Sequence, residues 1–294
     1  MDKYIILGHE NPDVDSIVSG ILLEKYIKQV YKVECEFIIP DKELDEDTID
    51  ICNKFNINFQ KYRRNLKDSD KKIILVDHSN RSFVDKEIVG IIDHHPKMIN
   101  FDVLNNKNIP SSSTSCLIVK DNEEYFNKED IKLAILAAYV DTASFHSTKG
   151  LESDKEWCLK MCHKYNFDEA LFNEAGLVLT DISSLDKAMF NGLKKYEKDG
   201  KIIESSYIQI KNFYKNEEKI MSILSKIIDY FYESDLDGYC FVVLDMDSFK
   251  SIAYNIIGDS FYTVKYDKYT SRGTVIVPEM FDKIKNENIK RKQL

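Results

Sequence analysis

The chain has 294 residues, 43% hydrophobic and 31% charged, with a formal net charge of −9; at the usual ~150 residues per domain, that is length enough for two domains, each with a core of its own. The balance excludes disorder as the main state, and an acidic chain is a poor partner for duplex nucleic acid, whose phosphates call for clustered Lys and Arg. No apolar run reaches the ~18 residues of a membrane span, which excludes a helical membrane protein.

Residues Met1 to Gly8 run straight into an apolar stretch with no cleavage site, so no signal peptide is expected and the cytoplasm is the expected location. Tyr4–Leu7 then leads into Gly8-His9-Glu10-Asn11-Pro12-Asp13-Val14-Asp15. Ser16 to Val30 carries apolar residues at Ile17, Ile21, Leu22 and Tyr26, a spacing that predicts a helix after the first strand. Two more short apolar runs end in polar tips: Ile73–Val76 in Asp77-His78, and Val89–Ile92 in Asp93-His94-His95-Pro96. Such Ile/Val runs fit buried parallel strands, and with helical patterns between them they predict an α/β sheet. In that architecture ligands collect beyond the carboxyl ends of the strands, where these tips fall.

Ser111-Ser112-Ser113-Thr114, ahead of Cys116-Leu117-Ile118-Val119, offers capping oxygens and free N–H groups for an anion at a helix start. Ile131–Val140 reads as a further helix with Asp141-Thr142 at its end. Thr180-Asp181-Ile182-Ser183-Ser184 interrupts the periodicity and marks a linker, giving domains at 1–180 and 188–294. In the second half Ile220, Ile223, Leu224, Ile227, Ile228 and Phe231 form one helical face. Strand-like runs follow at Tyr239–Leu244, Ile252–Ile257, Phe261–Tyr266 and Val275–Val277, predicting a smaller α+β domain. Lys194 reads as one lysine of a Lys-rich helix, and Arg272 as a residue before a strand. The basic cluster Lys290-Arg291-Lys292 reads as a solvated tail. Cys35, Cys52, Cys116, Cys158, Cys162 and Cys240 lack Cys-x-x-Cys pairing and read as reduced, buried thiols. Cys158, Cys162 and His163 suit a helix core face better than a metal site.

Four of the six histidines (His9, His78, His94 and His95) sit in the strand-end tips, together with Asp13, Asp15, Asp77 and Asp93. Each tip alone is an ordinary turn or cap. Three on neighbouring parallel strands converge on one crevice, where clustered carboxylates repel one another unless cations neutralise them. Carboxylate and imidazole without cysteine favour Mn²⁺, with Mg²⁺ or Co²⁺ as alternatives, over structural zinc. This many ligands suits two ions sharing one carboxylate, an arrangement adapted to in-line phosphoryl transfer to water.

Gly8-His9-Glu10-Asn11-Pro12-Asp13-Val14-Asp15-Ser16, Asp77-His78, Asp93-His94-His95 and the hydroxyl run at 111–114 together resemble the DHH phosphoesterase superfamily. Within it they resemble the manganese-dependent (family II) inorganic pyrophosphatases. Ser271-Arg272-Gly273-Thr274-Val275-Ile276-Val277-Pro278 resembles the Ser-Arg-Lys-Lys-Gln-x-Val-Pro element of their second, DHHA2-type domain. The resemblance implies an N-terminal parallel-sheet DHH domain, a smaller α+β DHHA2-like domain, and hydrolysis of pyrophosphate to two phosphates. It implies that Asp15, Asp77, His94 and Asp141 hold one Mn²⁺ and His9, Asp13 and Asp77 the other. His95 would protonate the leaving group, Lys194 and Arg272 would contact substrate, and the chain would form a homodimer through its first domain; apart from the resemblance, metals on one domain and cations on the other suggest closure over substrate. By spacing alone Asp141 is only a helix end.

Three departures qualify the substrate. Gly273, Thr274 and Val275 stand where the family has Lys-Lys-Gln, Gly192 replaces an Asp, and the second tip reads Asp77-His78-Ser79-Asn80. Losing a phosphate-binding cation could cost about 2–4 kcal/mol of transition-state stabilisation, which Lys201, Lys265 or Lys268 could restore. An exopolyphosphatase or nucleotide phosphatase is therefore a second expectation, and a non-catalytic binder of a phosphorylated metabolite a third. No Gly-Gly-Gly-His element of the related phosphodiesterases is present, and the general acid His95 favours an enzyme.

Overall fold

The computed structural model describes residues 3–39, 44–59, 71–79, 87–95 and 105–286; Asn80, Pro96 and the basic cluster at 290–292 lie outside them. The chain divides into two compact units, one of residues 1–145 and 149–176, the other of 146–148 and 177–294. Thr180, placed in a linker by sequence, is buried within the second unit. Its N–H donates to Gln209 O at 2.9 Å, and its hydroxyl accepts from Gln209 N at 3.0 Å. No helix among the described residues is long and apolar enough to cross a membrane.

In the first unit the order is β1 (Lys3–Leu7), α1 (Val14–Tyr31), β2 (Glu34–Ile38), α2 (Glu46–Lys54), β3 (Lys72–Val76), β4 (Ile88–Asp93), β5 (Asn105–Asn108), α3 (Thr114–Val119), α4 (Lys128–Asp141), α5 (Glu152–Tyr165) and α6 (Glu169–Gly176). The five strands form one parallel sheet in the order β2-β1-β3-β4-β5. Ile5, Ile6, Leu7, Ile73, Leu75 and Val76 are each 1% exposed or less, which is why these strands read as unbroken apolar runs rather than alternating ones. Connections leave β1 and β3 toward opposite ends of the sheet, so a crevice opens at the carboxyl ends of that pair. The three polar tips leave β1, β3 and β4, three adjacent strands.

The second unit holds α7 (Leu185–Met189), β6 (Lys194–Lys198), β7 (Lys201–Ile210), α8 (Glu217–Glu233), β8 (Gly238–Asp245), β9 (Lys250–Ile257), β10 (Ser260–Tyr266) and α9 (Val277–Asn286). Its sheet runs β10-β9-β8-β7-β6 and is antiparallel except for β7 with β8, the pair that α8 connects. The predicted apolar face of α8 is buried: Ile220, Ile223, Leu224, Ile227 and Phe231 pack on Ile208, Tyr239, Phe241, Val243 and Ile256. At about 1.5–3 kcal/mol for each buried large apolar side chain, this face anchors the unit.

Two sequence expectations are overturned here. Lys194 lies in a strand, because Asp199 and Gly200 both take positive φ (52° and 73°) and close β6 onto β7 with the two-residue turn that suits a hairpin. Val275–Val277 is not a strand but a π-helical turn (Arg272–Ile276) running into α9. Ile276, Val277, Met280, Phe281 and Ile284 are its buried residues, and their spacing is helical rather than alternating.

Candidate metal centre

His9 follows β1, and Asp13 is the N-cap of α1, its Oδ1 accepting Ser16 N–H at 3.0 Å. Capping therefore occupies one Asp13 oxygen and leaves Oδ2 for His9, 3.5 Å from its Nε2. Asp15 lies in the first turn of α1. Asp77 follows β3 with φ +64°, in the left-handed region that Asn and Asp enter more readily than other non-glycine residues. Its N–H extends the ladder to Ile92 O at 2.9 Å. Asp93 ends β4, His94 and His95 follow it, and Asp141 ends α4.

These residues meet. His9 Nε2 lies 3.5 Å from Asp77 Oδ2; His94 Nε2 lies 3.5 Å from Asp77 Oδ1, 3.9 Å from Asp15 Oδ2 and 3.3 Å from Asp141 Oδ2. The ligand atoms of His9, Asp13 and Asp77 fall within 4.8 Å of one another, as do those of Asp15, His94 and Asp141, and those of Asp77, His94 and His95. Asp77 thus stands between two clusters.

The donor set fits divalent cations. Asp77 Oδ2, His94 Nε2 and Asp141 Oδ2 are buried atoms without a hydrogen-bond partner, a costly state that a cation would relieve. Four carboxylates, Asp13, Asp15, Asp77 and Asp141, carry −4 when ionised, the charge that two divalent ions balance. Both ligand imidazoles are preset by their second nitrogen: His9 Nδ1 donates to Glu10 O and His94 Nδ1 to Ser111 O, each at 2.8 Å. That tautomer turns the Nε2 lone pair toward the cluster.

Burial, followed by the charge of His95, lowers the pKa of His94 and keeps its ring neutral. Burial, reinforced by Asp77 and Asp141, raises the Asp15 carboxyl well above the usual range. Burial would raise Asp77 too, but the neighbouring rings of His9, His95 and His94 hold it below that range.

The N–H groups at the start of α3 do not await an external anion, as the sequence suggested. Thr114 N and Ser115 N donate to the two oxygens of Asp15 at 2.7 and 3.0 Å, and Ser115 Oγ adds a bond of 2.6 Å. Thr114 Oγ1 donates to Asp77 Oδ1 at 2.9 Å. The hydroxyl run was the visible signal; its target was not. His95 differs from His9 and His94 in that its Nδ1 is hydrogen-bonded to a carboxylate, Asp93 Oδ1, at 2.9 Å. Asp93 also accepts His95 N–H at 3.0 Å and Asn108 Nδ2 at 3.2 Å. Lys149, which no motif flags, hydrogen-bonds Asp141 Oδ1 and leaves Oδ2 facing His94. His78 turns away, its Nε2 3.2 Å from Leu7 O. Cys158 and Cys162 are buried on α5 while His163 is exposed, and all six cysteines are free thiols.

Residues 3–142, which carry the His9, Asp13, Asp15, Asp77, His94, His95 and Asp141 side chains, match the family described as "DHH family, N-terminal domain". They form a DHH-family domain. A probable manganese-dependent inorganic pyrophosphatase of Bacillus licheniformis is 25% identical over 320 aligned positions, covering 97% of this chain and 100% of that protein. One of Listeria innocua, with the same description, is 24% identical, covering 84% and 83%. A Methanococcus jannaschii crystal structure described as a putative family II inorganic pyrophosphatase shares the fold, with a TM-score of 0.75 at 19% identity over 94% of this chain and 97% of that one.

Outside the DHH domain, Lys194 and Arg272 meet at one residue. Lys194 faces Ser205 across the β6–β7 ladder, and Arg272 Nη1 donates to Ser205 O and Gly192 O, both at 2.8 Å. The guanidinium lies 4.5 Å from the centre of the Tyr207 ring. Gly192 is positive in φ (+57°), and a Cβ there would come within 2.2 Å of that ring, so the departure from the family's Asp belongs to this seat. Lys201 is paired with Asp237 at 2.9 Å, while Lys265 and Lys268 are exposed.

Proposed function

We propose that the protein is a divalent-cation-dependent hydrolase of phosphoanhydrides, with inorganic pyrophosphate as the substrate. The observation that carries this reading is the convergence of the His9, Asp13, Asp15, Asp77, His94 and Asp141 side chains, with three buried atoms left unpartnered at their meeting point. The names of the Bacillus and Listeria relatives support the substrate and the choice of Mn²⁺.

In this reading Asp15, Asp77, His94 and Asp141 would hold one Mn²⁺ and His9, Asp13 and Asp77 the other. Bound there, paired cations supply charge neutralisation and a water acidic enough to ionise near neutral pH. The chain's own groups do the rest. Asp77 holds the two clusters in register through its two oxygens. Asp93 fixes His95 through Nδ1, so Nε2 is the nitrogen that hands over a proton. The water oxygen bonds to phosphorus, the anhydride P–O bond breaks, and the leaving phosphate oxygen takes that proton. Lys194 and Arg272 serve as the substrate's cations, Arg272 with one nitrogen already committed to two carbonyls.

That commitment, together with Gly273, favours a second reading in which the preferred substrate is a longer polyphosphate or a nucleotide. Turnover with Mn²⁺ and with Mg²⁺ on pyrophosphate, tripolyphosphate and a dinucleotide, read as phosphate release for the first two and as mononucleotide release for the third, separates the two. Fastest turnover on pyrophosphate with Mn²⁺, abolished by Asp77→Ala and His95→Gln, is the expected result. Faster tripolyphosphate turnover selects the second reading. Tight binding of these compounds without turnover overturns both.

A further inference from the structure

Behind the ligands lies a carboxylate that the proposed chemistry does not use. Asp154, in the first turn of α5, is 4% exposed. Its Oδ2 accepts Ser112 N–H at 2.7 Å and Ser111 Oγ–H at 3.1 Å, and its Oδ1 accepts Lys120 Nζ at 2.8 Å. Burial alone would raise its pKa, but the hydrogen bonds from Lys120 and Ser112 N–H lower it, so the group is held ionised. The turn is tied a second time, by Leu151 N–H donating to Ser112 Oγ at 2.9 Å.

Everything this turn touches on its other side belongs to the cluster. Ser111 O accepts His94 Nδ1–H; Thr114 N, Ser115 N and Ser115 Oγ hold Asp15; Thr114 Oγ1 holds Asp77. Ser112, Ser113, Thr114 and Ser115 are each 0% exposed, so the turn cannot shift without moving its neighbours. Three of the four side chains around the Asp15–His94–Asp141 position are thus aimed by one segment. In the His9–Asp13 position only the shared Asp77 is.

We propose that Asp154 is a positioning residue for the metal centre: by anchoring the Ser111–Ser115 turn it fixes His94, Asp15 and Asp77, and so sets the cation affinity of the Asp15–Asp77–His94–Asp141 position selectively. This rests on the two-cation reading above. In Asp154→Asn the side chain loses its charge and one of its two acceptor atoms: turned one way its NH₂ meets Ser112 N–H, turned the other it meets the Lys120 ammonium, so the hold on the turn is weakened. Outer ligand partners are worth 10–100-fold in metal affinity; an anchor one bond further out belongs at the lower end, about tenfold.

The test is Mn²⁺ uptake by the full chain, followed by the paramagnetic resonance of free Mn²⁺, in two backgrounds. In His9→Gln the Asp15–Asp77–His94–Asp141 position remains, and Asp154→Asn should weaken uptake about tenfold. In His94→Gln the other position remains, and the same substitution should change uptake by less than about twofold. Lys120→Met disturbs the same ion pair from the far side; it should lower the melting temperature and leave uptake unchanged. If Asp154→Asn fails to fold, Ser111→Ala, which removes only the hydroxyl and keeps the carbonyl for His94, should give a smaller loss confined to the first background. Equal loss in both backgrounds, no loss in either, or a Lys120→Met protein that reproduces the loss overturns the anchor while the metal reading stands. Wild-type protein that takes up no Mn²⁺ overturns the metal reading, and the anchor falls with it.

Discussion

Asp93 and His95 form an acid–base pair that needs no cation to hold it, and the pairing has a testable direction. Asp93 Oδ1 takes both the backbone N–H and the ring Nδ1 of His95, while Oδ2 takes Asn108 Nδ2. An Asn at position 93 has one acceptor and one donor in place of two acceptors, and it carries no charge to hold a protonated His95. If the NH₂ faces His95, the ring must present a lone pair at Nδ1 and stay neutral, so Nε2–H belongs to an imidazole rather than an imidazolium and is a far weaker acid. Asp93→Asn should therefore lower kcat for phosphate release by about 10²–10⁴, the range for general acid–base catalysis and for a mis-set imidazole. KM should stay nearly constant, because no substrate contact changes. Steady-state kinetics check this, and a rise in KM with unchanged kcat would remove His95 from the proton-transfer role. The Asp-His-His string was legible as a cluster of polar groups at a strand end. That Asp93 serves the histidine rather than a metal was not, because the two roles differ only in the direction of one carboxylate.

Neighbouring elements differ in how plainly their sequences announce them. The strands β1, β3 and β4 were legible because parallel strands covered wholly or partly on both faces carry near-continuous apolar runs, and α8 because its face repeats at helical spacing. The strand β6 was not: Lys194, Lys195, Glu197 and Lys198 carry no apolar alternation, and only the turn betrays it. The Asp199–Gly200 pair is that signal, and it outweighs the lysines. For α9 a three-residue apolar run was too short to fix its period. Two glycines in the second unit separate backbone demand from packing demand. Gly200 has φ +73° and open space within 4 Å of where a Cβ would sit, whereas Gly192 has φ +57° and would drive a Cβ into the Tyr207 ring. Gly200→Ala should destabilise by about 1 kcal/mol, the cost of positive φ alone. Gly192→Ala should cost about 1–3 kcal/mol more, through overpacking, and should displace Tyr207 from beneath Arg272. Urea unfolding followed by far-UV circular dichroism ranks the two, and equal losses would show that Tyr207 yields freely.

All six side chains proposed as ligands lie in the first unit, and so does Trp157, the single tryptophan, whose Nε1–H donates to Glu123 at 2.7 Å. Its fluorescence therefore reports unfolding of the metal-binding unit. Two buried groups give that unit opposing responses to acid when cations are chelated. Burial, then the charge of His9, lowers His78 from 6.5 to about 4. The unfolded chain then binds the extra proton below pH 6.5, so the stability His78 contributes is full above that value and lost as pH falls toward 4, by up to about 3 kcal/mol. Asp15 runs the other way: its raised pKa means that the folded carboxyl keeps its proton longer. Its contribution is full below the unfolded pKa of about 4 and is lost as pH rises through the folded value. A cation reverses that second balance, since it needs Asp15 ionised and stabilises by RT ln(1 + [L]/Kd), about 2.7 kcal/mol at a hundredfold excess over Kd. Mn²⁺ should therefore raise the Trp157 unfolding midpoint most at pH 7–8, and the gain should shrink toward pH 5 as protons compete for Asp15. In chelator the His78→Gln protein should lose less stability than wild type between pH 6.5 and 4.5. Denaturant titrations with and without Mn²⁺ across that range measure both effects. A Mn²⁺-induced gain that grew on acidification would contradict a carboxylate-held cation, because every ligand oxygen in the cluster has to shed its proton before it can bind one.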